Sequence, residues 1–224
     1  FIEDEILPLA ESQVTSDGRS VRISRDANDR AIYGASSGGI AAFTAAWFRP
    51  DLYSRVYGGV GTFIAFRGGN EYPALVRKSE PKPIRVFLQD GRYDTWNPSF
   101  GDWFEQNQLM ESALDFAGYE MNYKWDRGGH SITHGTYMFP DAMRWLWRGW
   151  PNKVKCGRSL NNYVQNIIDQ KEEWHEIRSG LKEGASIVAL SGGRIALQDG
   201  NAAVLLDSTG IQTSLRSLKK GENI

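Results

Sequence analysis

Arg30-Ala31-Ile32-Tyr33-Gly34-Ala35-Ser36-Ser37-Gly38-Gly39-Ile40-Ala41-Ala42-Phe43 is the stretch on which the reading of this chain turns. A short apolar, β-prone run enters a knot of small residues and a helical Ala/Phe pattern leaves it, the strand–turn–helix setting that a G-x-S-x-G match requires. Gly34-Ala35-Ser36-Ser37-Gly38 therefore reads as a nucleophile elbow. Ser36 is expected at its strained apex with an exposed hydroxyl, and Gly34 and Gly38 are expected because a Cβ at either would clash with the tight backbone and the helix start. The Ser37 amide, at the N-terminal end of that helix, is placed to face an oxyanion. The competing reading is an ordinary glycine-rich turn between a strand and a helix.

Outward from the elbow, strand and helix patterns alternate. A helix over Phe1–Ala10 and a polar loop over 11–29 come first, then a short buried strand at Ala31–Tyr33 and a helix over Gly38–Trp47 that Arg49-Pro50 stops. Val56–Val60 is a second strand, Ile84–Gln89 a third and Glu120–Trp125 a fourth near a sheet edge. Helices are expected from Phe104 to Ala117, where Gly118 stops the pattern, and from Pro140 to Trp150. This rhythm implies right-handed crossovers and a doubly wound, mostly parallel sheet, whose reactive groups collect at the carboxyl ends of the strands.

From Pro151 the texture changes. Residues 151–171 read as a polar linker, and 172–224 as a β-meander built from Glu173–Ile177, Ser186–Leu190, Arg194–Leu197 and Ala203–Leu206, separated by glycine-bearing turns. About four strands make roughly one propeller blade or a small sheet, so this second domain is expected to be truncated.

Composition excludes several classes. With 26 basic and 27 acidic residues in 224, no global field draws in nucleic acid. No run approaches the ~20 apolar residues of a membrane span. The single Cys156 cannot form an internal disulfide, and it lies away from the histidines.

A serine hydroxyl becomes a nucleophile when a base removes its proton, and the base works when a third group fixes its tautomer. Ser36, an acid after the third strand and His130 after the fourth supply these parts in the chain order nucleophile, acid, base. Asp94 and Asp90 both qualify as the acid. His130 follows Gly128-Gly129, which permit an unusual backbone. A metal pair of His130 and His134 is the alternative, although Gly128, Gly129 and Gly135 argue against the helix it needs. His175 is read as a surface residue. Tyr93, Trp96 and Trp103 bracket the acid loop, and Arg67 and Asn70 follow the second strand; aromatic faces with a few polar donors suit sugars or aromatic acyl groups.

Gly34-Ala35-Ser36-Ser37-Gly38-Gly39, Gly91-Arg92-Tyr93-Asp94 and Gly128-Gly129-His130 together resemble the esterase family of α/β-hydrolases that groups enterochelin-esterase-like enzymes, feruloyl and acetyl xylan esterases, S-formylglutathione hydrolases and mycolyltransferases. The resemblance covers Arg30 to Trp150 and gives residues 1–150 the α/β-hydrolase fold, with the family's N-terminal strands and the loop of the second oxyanion donor missing. It implies Ser36 as nucleophile, Asp94 rather than Asp90 as acid, His130 as base, the Ser37 amide at the oxyanion, and Trp96, Trp103 and Arg67 against the substrate. The implied activity is serine carboxylic-ester hydrolysis of a small or sugar-linked ester, with no metal or other cofactor, in a periplasmic or secreted setting. Acyl transfer to a carbohydrate and a non-catalytic carbohydrate-binding relative are the alternatives. Glu173 to Leu206 is similar to the opening strands of gluconolactonase-like β-propellers, without a recognisable metal-ligand set.

Overall fold

The computed structural model describes residues 1–161, 186–199, 202–207 and 212–217. The chain divides into two compact units, Phe1–Gln170 and Lys171–Ile224. In the first, β1 (Ala31–Ala35), β2 (Arg55–Gly59) and β3 (Arg85–Gly91) precede a small antiparallel hairpin, β4 (Trp96–Asn97) and β5 (Gly101–Asp102), and then β6 (Glu120–Asp126). The four longer strands form one parallel sheet in the order β1-β2-β3-β6. Ala35 pairs with Gly59, Gly59 with Gln89 and Gln89 with Lys124, so the carboxyl ends lie level and their loops leave side by side. The helices are α1 (Leu7–Glu11), which continues a π-helical turn at Ile2–Ile6, α2 (Ser37–Phe48), α3 (Tyr72–Lys78), α4 (Trp103–Phe116) and α5 (Ile132–Leu146).

Alternation along the strands builds two apolar layers. Val56, Val86 and Leu88 pack with Phe43, Ala46 and Trp47 of α2 and with Met110, Ala113 and Leu114 of α4. Tyr57 and Phe87 point to the other face and meet Ala142 and Leu146 of α5. Burial on both faces is why β2 and β3 read as nearly continuous apolar runs. The expectation of a buried first strand is corrected: β1 lies at the sheet edge, with Tyr33 43% exposed beside Tyr57 and Phe139.

The last helix also differs from expectation. It begins at Ile132 rather than Pro140, capped by Ser131, whose hydroxyl accepts from the Thr133 amide. Gly135 and Pro140 both lie inside it. A Cβ on Gly135 would stand 3.0 Å from Gln89 Oε1 and 3.3 Å from the Tyr57 hydroxyl, so glycine lets the helix approach the sheet. Pro140 removes the intrahelical bond to the Thr136 carbonyl. Separately, the Gly135 carbonyl accepts from the Tyr57 hydroxyl at 2.8 Å. The helix ends against two buried arginines, as Arg55 and Arg85 both donate to the Leu146 carbonyl, at 2.9 and 2.8 Å. Helix α3, with Pro73 in its first turn, stands in what the sequence reading treats as loop.

Residues after the last helix pack on this unit. The Asn28 side-chain amide donates to the Pro151 carbonyl at 2.8 Å, Val154 is buried, and the Leu160 amide donates to the Phe116 carbonyl.

The second unit is an antiparallel meander of β7 (Ser186–Leu190), β8 (Arg194–Asp199), β9 (Ala202–Leu206) and β10 (Gln212–Ser217), with Leu197, Val204 and Leu206 buried together. Three of its strands match the expected runs, and β10 is additional. The fourth expected run, Glu173–Ile177 with His175, lies outside the described residues. Among the described residues no helix is long and apolar enough to cross a membrane.

Candidate active site

Ser36 closes β1 and caps α2 with φ 57° and ψ −124°, a conformation that L-residues hold only when the surroundings over-determine it. The backbone there is clamped. Ser36 N–H donates to the Gly59 carbonyl at 2.9 Å, and the Ser36 carbonyl accepts from Gly39 at 2.9 Å and Thr62 at 3.2 Å. A Cβ on Gly34 would lie 1.9 Å from the Gly38 carbonyl oxygen, so glycine is required at the first position of the elbow. At Gly38 the expected clash is absent, because a Cβ there would meet nothing within 4 Å. The second tight position is Gly39, whose Cβ would stand 3.0 Å from the Gly59 carbonyl oxygen. Ser37 is the first residue of α2, and its amide has no intrahelical partner.

His130 comes from the loop between β6 and α5, and Asp94 from the turn after β3. Glycines let these segments touch. A Cβ on Gly91 would lie 2.1 Å from the Gly128 carbonyl oxygen, and one on Gly129 3.1 Å from that of Tyr93. The gap is stitched by Arg92 N–H to the Asp126 carbonyl at 2.8 Å and Tyr93 N–H to the Gly128 carbonyl at 2.9 Å. In consequence Asp94 Oδ1 lies 2.6 Å from His130 Nδ1, and His130 Nε2 lies 2.8 Å from Ser36 Oγ. The Asp94 side chain is fully buried, whereas the His130 side chain keeps 30% exposure. This arrangement can take a proton from the serine and support the resulting imidazolium.

The second acid candidate sits behind the first. Asp90 is fully buried at the end of β3, its Oδ1 accepting from the Gly91 amide at 2.6 Å and its Oδ2 from the Asn107 amide of α4 at 2.8 Å. Burial, followed by the neighbouring Asp94, pushes its pKa up to about 9.

His134 lies in the first turn of α5, its Nδ1 against Asp126 Oδ2 and its ring stacked on Tyr137. The two histidines thus face different carboxylates. Trp103, the first residue of α4, sets its ring edge-on to His130 with centroids 5.6 Å apart and donates from Nε1 to Thr62 Oγ1 at 3.3 Å. Tyr93 and Trp96 stand at the surface, each 67% exposed. In the loop after β2 the Ala65 amide donates to the Phe100 carbonyl, Phe66 packs on Phe100, and the Arg67 guanidinium lies over the Phe66 ring.

Sequence reasoning missed Thr62, whose hydroxyl is 3.4 Å from Ser36 Oγ, and Asn107, which ties Asp90 to the Gly61 carbonyl. Thr62 could have been found from its place just past the end of β2. Asn107 carries no such signal, since it looks like a polar residue on a helix.

A family model described as "Putative esterase" matches residues 1–213. The chain belongs to that esterase family. The family match runs across both compact units. Among solved structures, the chain is similar to a ferulic acid esterase at 19% identity and TM-score 0.51, over 65% of this chain and 60% of that one. It is also similar to the enterobactin esterase of Shigella flexneri crystallised with 2,3-dihydroxy-N-benzoyl-glycine, at 21% identity and TM-score 0.51, over 66% of this chain and 37% of that one. At these identities the likeness is one of α/β-hydrolase fold, and the chain spans less than two thirds of the first structure's length and little over a third of the second's. No curated protein matches it.

Proposed function

We propose that this chain is a serine carboxylic-ester hydrolase working through an acyl-enzyme. The observation that carries the reading is the continuous contact from Ser36 Oγ through both nitrogens of His130 to Asp94, supported by membership of the esterase family. Ser36 Oγ attacks the ester carbonyl carbon while Nε2 of His130 takes its proton. Asp94 holds the opposite nitrogen, fixing the tautomer and stabilising the imidazolium. The Ser37 amide, aided by the α2 dipole, faces the oxygen on which negative charge develops.

Collapse of the tetrahedral intermediate breaks the ester C–O bond, and His130 protonates the departing alkoxide. Water then enters, gives its proton to Nε2 and attacks the acyl carbon. The acid leaves and Ser36 recovers its proton. The substrate we assign is a small ester with an aromatic or sugar-linked group, bordered by Trp103 and Trp96 with Arg67 beyond them; exposed aromatic faces at the rim support this class. The C-terminal strands we assign to a blade-like meander on their consecutive antiparallel order alone.

The test is turnover of a short-chain p-nitrophenyl ester by the full chain. Ser36→Ala is expected to lower kcat by about four powers of ten or more, and undiminished turnover by that variant overturns the reading.

A further inference from the structure

Asp90 is a fully buried carboxyl that the ester-hydrolysis scheme leaves unused. It faces Asp94 across the turn made by Gly91, Arg92 and Tyr93, within hydrogen-bonding reach of the Asp94 carboxyl. Asp94 divides its two oxygens unequally. Oδ1 accepts from His130 Nδ1 and from the Thr95 amide, while Oδ2 is buried and has no donor among the described residues. Two ionised carboxylates are acceptors only, so their facing oxygens repel unless a proton lies between them.

We propose that Asp90 is a positioning residue that remains protonated and donates its carboxyl O–H to Oδ2 of Asp94, locking that carboxylate in the orientation His130 requires. The inference rests on the hydrolase reading for its effect on rate, though the shared proton is a property of the fold itself. The surroundings support it from each side. From the same turn the facing charge is Asp94, and the Gly91 amide donates to Oδ1. From α4 the facing group is Asn107, a neutral amide donating to Oδ2. From β6 the nearest acid, Asp126, is engaged by the Gln89 amide and by His134; Gln89 precedes Asp90, so its side chain leaves the opposite face of β3. No cation is among the groups that shift Asp90, and burial is the first of them, which keeps the proton on well above neutral pH. A carboxylic acid held neutral by its site is a hydrogen-bond donor of fixed direction. When Asp90 ionises, a second negative charge lies against Asp94 and drives it from its place beside His130.

The experiment uses the full chain and two substitutions. Carboxyl 13C NMR across pH 4 to 10 is expected to show one aspartate protonated at pH 7 that titrates near pH 9 and is missing from Asp90→Asn. If every aspartate is ionised at pH 7, the proposal is overturned. In the pH profile of kcat, Asp90→Asn supplies an amide donor that cannot ionise; it is expected to stay within about threefold of the parent at pH 7 and to lose the decline near pH 9. Asp90→Leu, which removes the donor, is expected to lower kcat about tenfold with KM unchanged. Identical pH profiles for the parent and Asp90→Asn would show a role in stability alone and contradict the proposal. A parent chain without ester turnover would sink the hydrolase reading, and the carboxyl titration would still decide whether the proton is shared.

Discussion

Ser36 Oγ lies 2.8 Å from Nε2 of His130, although 94 residues separate them along the chain. Parallel pairing from β1 to β6 sets the strand ends level, and the glycines at 91 and 129 then let the turn after β3 and the loop after β6 close on one another. The contact is therefore a consequence of register and of missing Cβ atoms, and each is open to experiment.

Asp94→Asn leaves a side chain of the same shape that can donate to His130 Nδ1 instead of accepting from it, favouring the wrong imidazole tautomer. Ester turnover is expected to fall by about 10³ to 10⁴ with little change in melting temperature. Steady-state kinetics beside a thermal melt checks both halves.

Gly34→Ala and Gly38→Ala separate two glycines that the motif alone treats alike. A methyl at 34 would meet the Gly38 carbonyl at 1.9 Å, whereas one at 38 meets nothing within 4 Å. Gly34→Ala is expected to destabilise by about 3 kcal/mol or more, and Gly38→Ala, inside α2, to be neutral or to gain up to about 1 kcal/mol from helix propensity. Denaturant melts of the two variants give the comparison.

Asp90 makes stability depend on pH with a definite sign. Its folded pKa, about 9, stands above the ordinary value of 3.8, so between these pH values the folded chain keeps a proton that the unfolded chain has released. That contribution is complete below the ordinary value and is lost as pH rises to the folded one, at about 1.4 kcal/mol per pH unit. Asp90→Asn lacks this slope. Its stability relative to the parent is expected to increase steadily from pH 5 to pH 8, measured by urea melts at each pH.

Tyr93 and Trp96 are mostly exposed, so replacing them should leave the fold alone. If they border the substrate, the double change to alanine is expected to raise KM for an aromatic ester about three- to tenfold with kcat nearly constant, and to leave acetyl ester kinetics unaltered.

The strand–turn–helix form of the elbow was legible because a strand pattern, a knot of small residues and a helix pattern follow one another in the chain. The strand ends singled out Ser36, His130 and an acid at 90 or 94, the preference for Asp94 coming from the family resemblance. What escaped the sequence depends on contacts between distant segments. Gly135 and Pro140 oppose a helix by local propensity, and only the close approach to Tyr57 and Gln89 shows why α5 holds the glycine. Tyr33 belongs to an apolar run that reads as interior, and its exposure is set by the position of β1 in the sheet order. Thr62 and Asn107 are unremarkable polar residues until the chain returns them to Ser36 and Asp90.

The most direct measurement is labelling of the folded full chain by a fluorophosphonate probe, with the modified peptide identified by mass spectrometry. The account predicts a single adduct on Ser36 that disappears in Ser36→Ala and forms at least a hundredfold more slowly in His130→Ala. An unlabelled parent chain, or equal labelling of the parent and His130→Ala, would contradict it.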